Sequence, residues 1–224
     1  FKQNPGMDVK EFRERIAGIR GTIAANRQIR NLDTPNAAPW FPIILPQIPL
    51  QKTEGDEEAE AKQVDYGTLL EDTLLLAIEA SYIAAYPERQ FTNYRKGELV
   101  GQVTIVEPRH AKLYTDLANG PVVGILFPAA LQGFSPFAQR EMITLFPESF
   151  SLQGSLDSSV AETLYTQQLS RDNNTPLKDC SAVQWRDPDN SLYFGVLDDE
   201  LGFDYRFSLG AAYDCCAGGV FARG

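Results

Sequence analysis

Between Thr34 and Gln51 the chain reads Thr-Pro-Asn-Ala-Ala-Pro-Trp-Phe-Pro-Ile-Ile-Leu-Pro-Gln-Ile-Pro-Leu-Gln. Five of the 14 prolines fall in this strap (Pro35, Pro39, Pro42, Pro46 and Pro49), and no charge lies between Asp33 and Lys52. Proline lacks an N–H and fixes φ, so the strap suits neither a helix interior nor a central strand. An extended, polyproline-like course is what remains. Yet Trp40, Phe41, Ile43, Ile44, Leu45, Ile48 and Leu50 are strongly apolar. Left wet, they form a patch of the kind that marks interaction sites. Full burial of each contributes roughly 1.5–3 kcal/mol. The strap must therefore be covered, and its pattern fits either its own body or a neighbouring molecule.

The segment ahead of the strap differs in charge from everything after it. Residues 1–32 hold seven basic and three acidic residues, a balance of +4, and the remainder holds 13 basic and 27 acidic, a balance of −14. Val9, Phe12, Ile16, Ile19 and Ile23 recur at spacings of three and four, which predicts a helix over 8–32 with one apolar stripe and arginines on its other faces. Gly18 and Gly21 weaken it by about 1 kcal/mol each against Ala. The polar leader Phe1–Gly6 reads as foreign to the natural chain, with Met7 as its start. Residues 1–33 thus form a basic helical arm, 34–51 the strap, 52–63 an acidic linker carrying Glu54, Asp56, Glu57, Glu58 and Glu60, and 64–224 one globular domain.

Within that domain Asp65 caps a predicted helix over 66–86 that is apolar nearly all round, the mark of a central helix. Strands are expected at Glu98–Val106, Val122–Phe127 and Ser149–Ser155, and a short helix at 110–118. Ser135-Pro136 starts a helix over Phe137–Phe146. Ser159 with Glu162 reads as a capping box ahead of Val160–Ser170. A polar loop is expected at 171–179. Four strands follow, at Ala182–Arg186, Leu192–Leu197, Phe203–Leu209 and Ala212–Ala222, separated by turn residues. This order predicts an α+β domain with a mixed or antiparallel sheet and a β-rich C-terminal meander.

The composition sets limits on function. A net charge of −10 and a pI near 4.6 disfavour nucleic-acid binding by the body. No apolar run is long enough for a membrane span. Cys180, Cys215 and Cys216, an odd and sparse set, fit free thiols in a reducing, cytoplasmic setting. His110 is the one histidine, so a Cys/His metal site is disfavoured and no cofactor is expected. Glu107, Arg109 and His110 beside Pro108 suit acid–base work, or a plain surface turn. Asp187, Asp189, Asn190 and Asp198 approach the oxygen spacing of a calcium loop, but Leu192 and Asp198 stand where Gly and Glu are needed. Asp198, Asp199, Glu200 and Asp204 suit metal or acid–base chemistry, or an exposed acidic turn. Cys215-Cys216 suits a nucleophile only where a base stands near.

The leading expectation is a non-enzymatic assembly or adaptor protein that binds a protein partner, or a second copy, through residues 8–51. The expected contact residues are Val9, Phe12, Ile16, Ile19, Ile23, Trp40, Phe41, Ile44, Leu45 and Ile48. The alternative is a small acidic enzyme using carboxylates near Glu107–His110 or Asp187–Asp204, with or without a divalent metal.

Overall fold

The computed structural model describes residues 7–51 and 61–224; the leader Phe1–Gly6 and most of the acidic linker, residues 52–60, lie outside the described residues. In chain order the elements are α1 (Val9–Ala25), a 3-10 turn (Arg30–Asp33), β1 (Phe41–Leu45), α2 (Tyr66–Leu69), a wide π turn (Leu70–Leu74) and α3 (Leu75–Ala85). Then come β2 (Gln90–Asn93), β3 (Val103–Ile105), α4 (Pro108–Asp116), β4 (Val122–Gln132) and α5 (Pro136–Met142), which tightens into a 3-10 turn (Ile143–Leu145). The rest is β5 (Phe150–Leu152), α6 (Ser155–Leu164), α7 (Thr166–Leu169), β6 (Leu177–Asp179), β7 (Val183–Trp185), β8 (Ser191–Leu197), β9 (Glu200–Arg206) and β10 (Cys216–Arg223).

The fold is α+β, with one mixed sheet in the order β1-β4-β10-β6-β8-β9-β2, β5 pairing with β10 beside that path, and a small β3–β7 pair. β6–β8 and β8–β9 are antiparallel, as short connections favour. β10 instead runs parallel to β6 and antiparallel to β4, so the last strand enters the middle of the sheet. The two faces bury different cores. On one, Leu126 and Phe221 join Leu192, Phe194, Leu201 and Phe203 under α3 and α6. On the other, Ile125, Phe127, Val220 and Ala222 meet Ile19 and Ile23 of α1.

Local signals explain several element starts. The Asp8 carboxylate accepts the Glu11 N–H at 2.7 Å and begins α1. Ser135 caps α5, with Pro136 at its first position. The long strand expected at Glu98–Val106 shrinks to Val103–Ile105, because Gly97 and Gly101 take positive φ values of 78° and 67° in the turns before it. The expected capping box at Ser159 is replaced. The helix starts earlier, at Gly154, whose N–H donates to Asp157 Oδ1 at 2.8 Å.

The strap lies on its own chain. β1 pairs antiparallel with β4, from Phe41 opposite Leu126 to Leu45 opposite Val122, at the end of the sheet where a proline is tolerated. Strand alternation sends Phe41, Ile43 and Leu45 into the main core, and Ile48 follows them. The Tyr165 hydroxyl donates to the Pro42 carbonyl at 2.7 Å, and the Ile48 N–H donates to the Leu117 carbonyl at 2.9 Å. This corrects the expectation that the strap is held for another chain. Covering it intramolecularly captures the same hydrophobic gain without the entropy lost on association.

The strap's seating has a measurable consequence. Ile43 is 1% exposed, so Ile43→Ala should lower unfolding free energy by about 2–5 kcal/mol. Ile44→Ala, at a half-buried site, should cost a fraction of that. Urea denaturation of the dilute chain reads both. Equal, small losses would mean the strap is not seated.

Candidate functional site

Two surfaces on the same face of the sheet stand out. The first is the outer side of α1. Ile19 and Ile23 are buried, with Ile16 half-buried beside them, and this row fixes the helix over β4 and β10. Trp40 packs on the same cluster, with the Arg20 guanidinium 5.3 Å above its ring, and Arg20 also bonds Asp33 at 2.8 Å. Facing away on the helix are Lys10, Arg13, Glu14, Ala17, Gly18, Gly21 and Ala24, with Arg27 in the turn beyond its end, all exposed, and Lys10 pairs with Glu14 at 3.8 Å. A Cβ added at Gly18 or Gly21 would meet nothing within 4 Å. The outer side is therefore a shallow strip of small residues between cations.

The second surface is a groove of about 960 Å³ along the outward side of β8 and β9. Leu192, Phe194 and Val196 point inward, so alternation turns Tyr193, Gly195 and Leu197 outward, with Glu200, Gly202 and Asp204 on the paired strand. Gly195 sits opposite Gly202, and the Leu177 side chain fills the space above Gly195. Tyr94 lies over Gly202, and its hydroxyl donates to Glu200 Oε1 at 2.5 Å while Gln90 Nε2 donates to Oε2 at 2.6 Å. The Tyr94 bond holds the Glu200 carboxyl below its ordinary range and pushes the phenol up. Glu88, Asp198, Asp199 and Asp214 add acid to the lining, against Arg89, which pairs with Asp199 at 3.4 Å.

The expected acid–base residues are elsewhere and have structural tasks. Glu107 Oε1 accepts the Arg109 N–H, and Oε2 accepts the N–H groups of His110 and Leu152, so this carboxylate caps α4 and ties it to β5. Arg109 Nη1 donates to the carbonyls of Ile143, Phe146, Pro147 and Phe150. His110 is 0% exposed. Its Nδ1 lies 3.2 Å from the Leu152 carbonyl and its Nε2 lies 3.1 Å from the Tyr66 hydroxyl, whose oxygen also takes the Leu156 N–H at 2.9 Å. These partners assign a neutral ring with the proton on Nδ1. Burial lowers its pKa to about 4. Asp157, 3.8 Å from Nδ1, is pushed by burial up to about 8. Gly154 must lack a side chain here, since a Cβ would stand 2.4 Å from His110 Cε1.

Sequence reading missed this sealed polar layer. The available signal was the serine-rich start of α6, where Asp157 is the one charge among Ser155, Ser158 and Ser159. Two more ion pairs are buried beside the sheet, Lys178–Glu162 at 2.8 Å on the same face and Arg206–Asp179 at 3.0 Å on the opposite one. The acids of Asp187–Asp204 do not converge. Asp187 lies in a turn where its N–H meets the Trp185 carbonyl, Asp198 and Asp199 form the β8–β9 tip, and Asp204 pairs with Arg95 at 2.9 Å. Among the described residues no group of three or more His, Cys, Asp or Glu side chains is placed to hold a metal. Cys180 is buried beside Ser158, Cys215 lines the groove, and burial pushes the Cys216 thiol up to about 12.

Of the ten expected contact residues, Ile19, Ile23, Phe41, Leu45 and Ile48 are enclosed by their own fold and offer nothing to a partner. Phe12, Ile16, Trp40 and Ile44 are half-buried, and Val9 is 66% exposed. What the sequence did mark correctly as outward is the basic side of the arm. Searches of known protein families, curated proteins and solved structures find nothing that matches this chain. Among the described residues no helix is long and apolar enough to cross a membrane.

The His110–Asp157 pair sets a pH dependence. Asp157 contributes most below its ordinary value of 3.8, and that contribution is lost as pH rises to about 8. His110 has the opposite sign: its share is complete above 6.5 and lost as pH falls through about 4. Between pH 6.5 and 8 only Asp157 of the pair acts, so the chain should lose about 1.4 kcal/mol per pH unit relative to Asp157→Asn. Denaturant curves of both proteins across that range test it; parallel pH profiles would overturn the assignment.

Proposed function

We propose that this protein is a non-enzymatic assembly or adaptor protein, and that its partner meets the outward side of α1. The observation that carries the reading is the way α1 is mounted. Its apolar stripe is satisfied on β4 and β10, so Lys10 and Arg13 are presented from a fixed helix, with Arg27 in the turn that follows it, on a chain of net charge −10. A preformed cationic strip loses little freedom on binding, and its charge speeds and orients encounter with an acidic surface. The apolar strap, once expected to supply the binding energy, instead braces the sheet from which the helix is presented.

A second reading, the small acidic enzyme, draws on the groove, whose volume lies near the upper end of the range for ligand sites. The carboxyls that burial pushes up, Asp157 and Asp179, lie outside its lining. That separation favours binding over acid–base chemistry.

The triple variant Lys10→Glu, Arg13→Glu, Arg27→Glu tests the reading, since all three side chains are exposed and the fold should survive, as circular dichroism would report. Protein partners captured by the wild-type chain from its native extract after cross-linking should fall at least tenfold with the variant. Equal capture by both chains would overturn the reading.

A further inference from the structure

The outer side of α1 and the open groove share a face of the sheet. Ile125, Phe127, Val220 and Ala222 meet α1 on the side opposite the main core. Tyr193, Gly195 and Gly202 likewise lie on the side opposite Leu192, Phe194 and Phe203. α1 covers the β4–β10 half of that face, and the β6–β8–β9 half carries the groove.

The two surfaces are complementary in charge. Lys10, Arg13, Arg27 and Arg30 are exposed on the arm, and Glu88, Asp198, Asp199 and Asp214 line the groove. Among the described residues no ion pair holds Arg13, Arg27 or Arg30, nor Glu88, Asp198 or Asp214. Ala17, Gly18, Gly21 and Ala24 keep the middle of the helix low, while Leu177 and Tyr94 cover Gly195 and Gly202 on the groove floor. The groove adds apolar and aromatic contact through Tyr94, which is 50% exposed, and Leu197, which is 73% exposed.

We propose that two copies of this chain pair about a two-fold axis, each laying the outer side of its α1 in the groove of the other. This rests on the assembly reading and names its partner. A two-fold operator suits patches set side by side, because one rotation makes both contacts at once. An arm and a groove on opposite faces would instead string copies into an open array. Two helix-in-groove contacts also supply more buried area than one, toward the roughly 800 Å² per partner of a stable pair. The charges cannot satisfy each other within one copy, since α1 is pinned over β4 and β10 by Ile19 and Ile23.

Charge exchange tests this on the full chain. The wild-type protein should sediment as a dimer at about 0.05 M salt, with a dissociation constant raised at least tenfold at about 0.5 M. The arm-reversed variant above and a groove-reversed variant, Glu88→Lys with Asp199→Lys and Asp214→Lys, should each be monomeric alone. Mixing the two in equal amounts should restore dimers, and so should placing both sets in one chain. The salt series needs no variant, so a misfolded mutant would not protect the proposal. A wild-type chain that stays monomeric at low salt, or dimers indifferent to both reversals, would overturn it. If the monomeric wild type still captures another protein through the arm, the dimer falls and the assembly reading stands. Monomers without arm-dependent capture overturn both.

Discussion

β10 joins two half-sheets that otherwise share no strand. On one side it runs antiparallel to β4 from Ala217 to Arg223; on the other its first residues run parallel to β6 and its later ones antiparallel to β5. On the β4 side stand β1, the strap and α1; on the β6 side stand β8, β9 and β2. The insertion demands small residues at its midpoint. A Cβ at Gly218 would stand 2.2 Å from the Gln139 side chain, and one at Gly219 would stand 1.7 Å from Gln153 Oε1. Its register with β4 shifts between Gly218 and Val220, where the neighbour on its other side changes from β6 to β5. Both surfaces discussed for binding are positioned by this splice, one on each side of it.

The two buried ion pairs follow from the same splice. Where β6 meets β10, Lys178 and Asp179 are carried inward on opposite faces and need partners. Glu162 answers the first and Arg206 the second. A buried ion pair adds little to stability over an apolar substitute, but breaking one by removing a partner is costly. Such pairs therefore specify which strand alignment is tolerated, because a slipped β6 would strand two charges.

Much of the architecture was legible because it depends on neighbours in sequence. Asp8 and Ser135-Pro136 mark helix starts through bonds made within a turn. The alternation of Leu192, Phe194 and Val196 marks a strand with one buried side. What was not legible depends on distant partners. Lys178 and Asp179 made 171–179 read as a polar loop, since nothing local announces Glu162 or Arg206. Glu162 read as half of a capping box for the same reason. Trp40 through Ile48 announce that they must be covered, but an apolar residue meets its own chain and another chain through the same physics. The arm's cations were legible as exposed; the groove was not, because Tyr94, Leu177, Tyr193 and Glu200 come together only when β2, β6, β8 and β9 pair.

The position of β10 also shapes the order of events during synthesis. Residues 216–223 leave the ribosome later than every other described element, yet the central seam of the sheet is vacant without them. The proline-rich ribbon and the arm emerge early and find β4 with one flank bare. Until the final strand arrives, Phe127, Phe150 and Leu152 lack their lid of Val220 and Ala222. Between the emergence of β4 and that of β10 the nascent chain therefore carries a greasy, incomplete sheet, a state in which molecular chaperones have their main purchase.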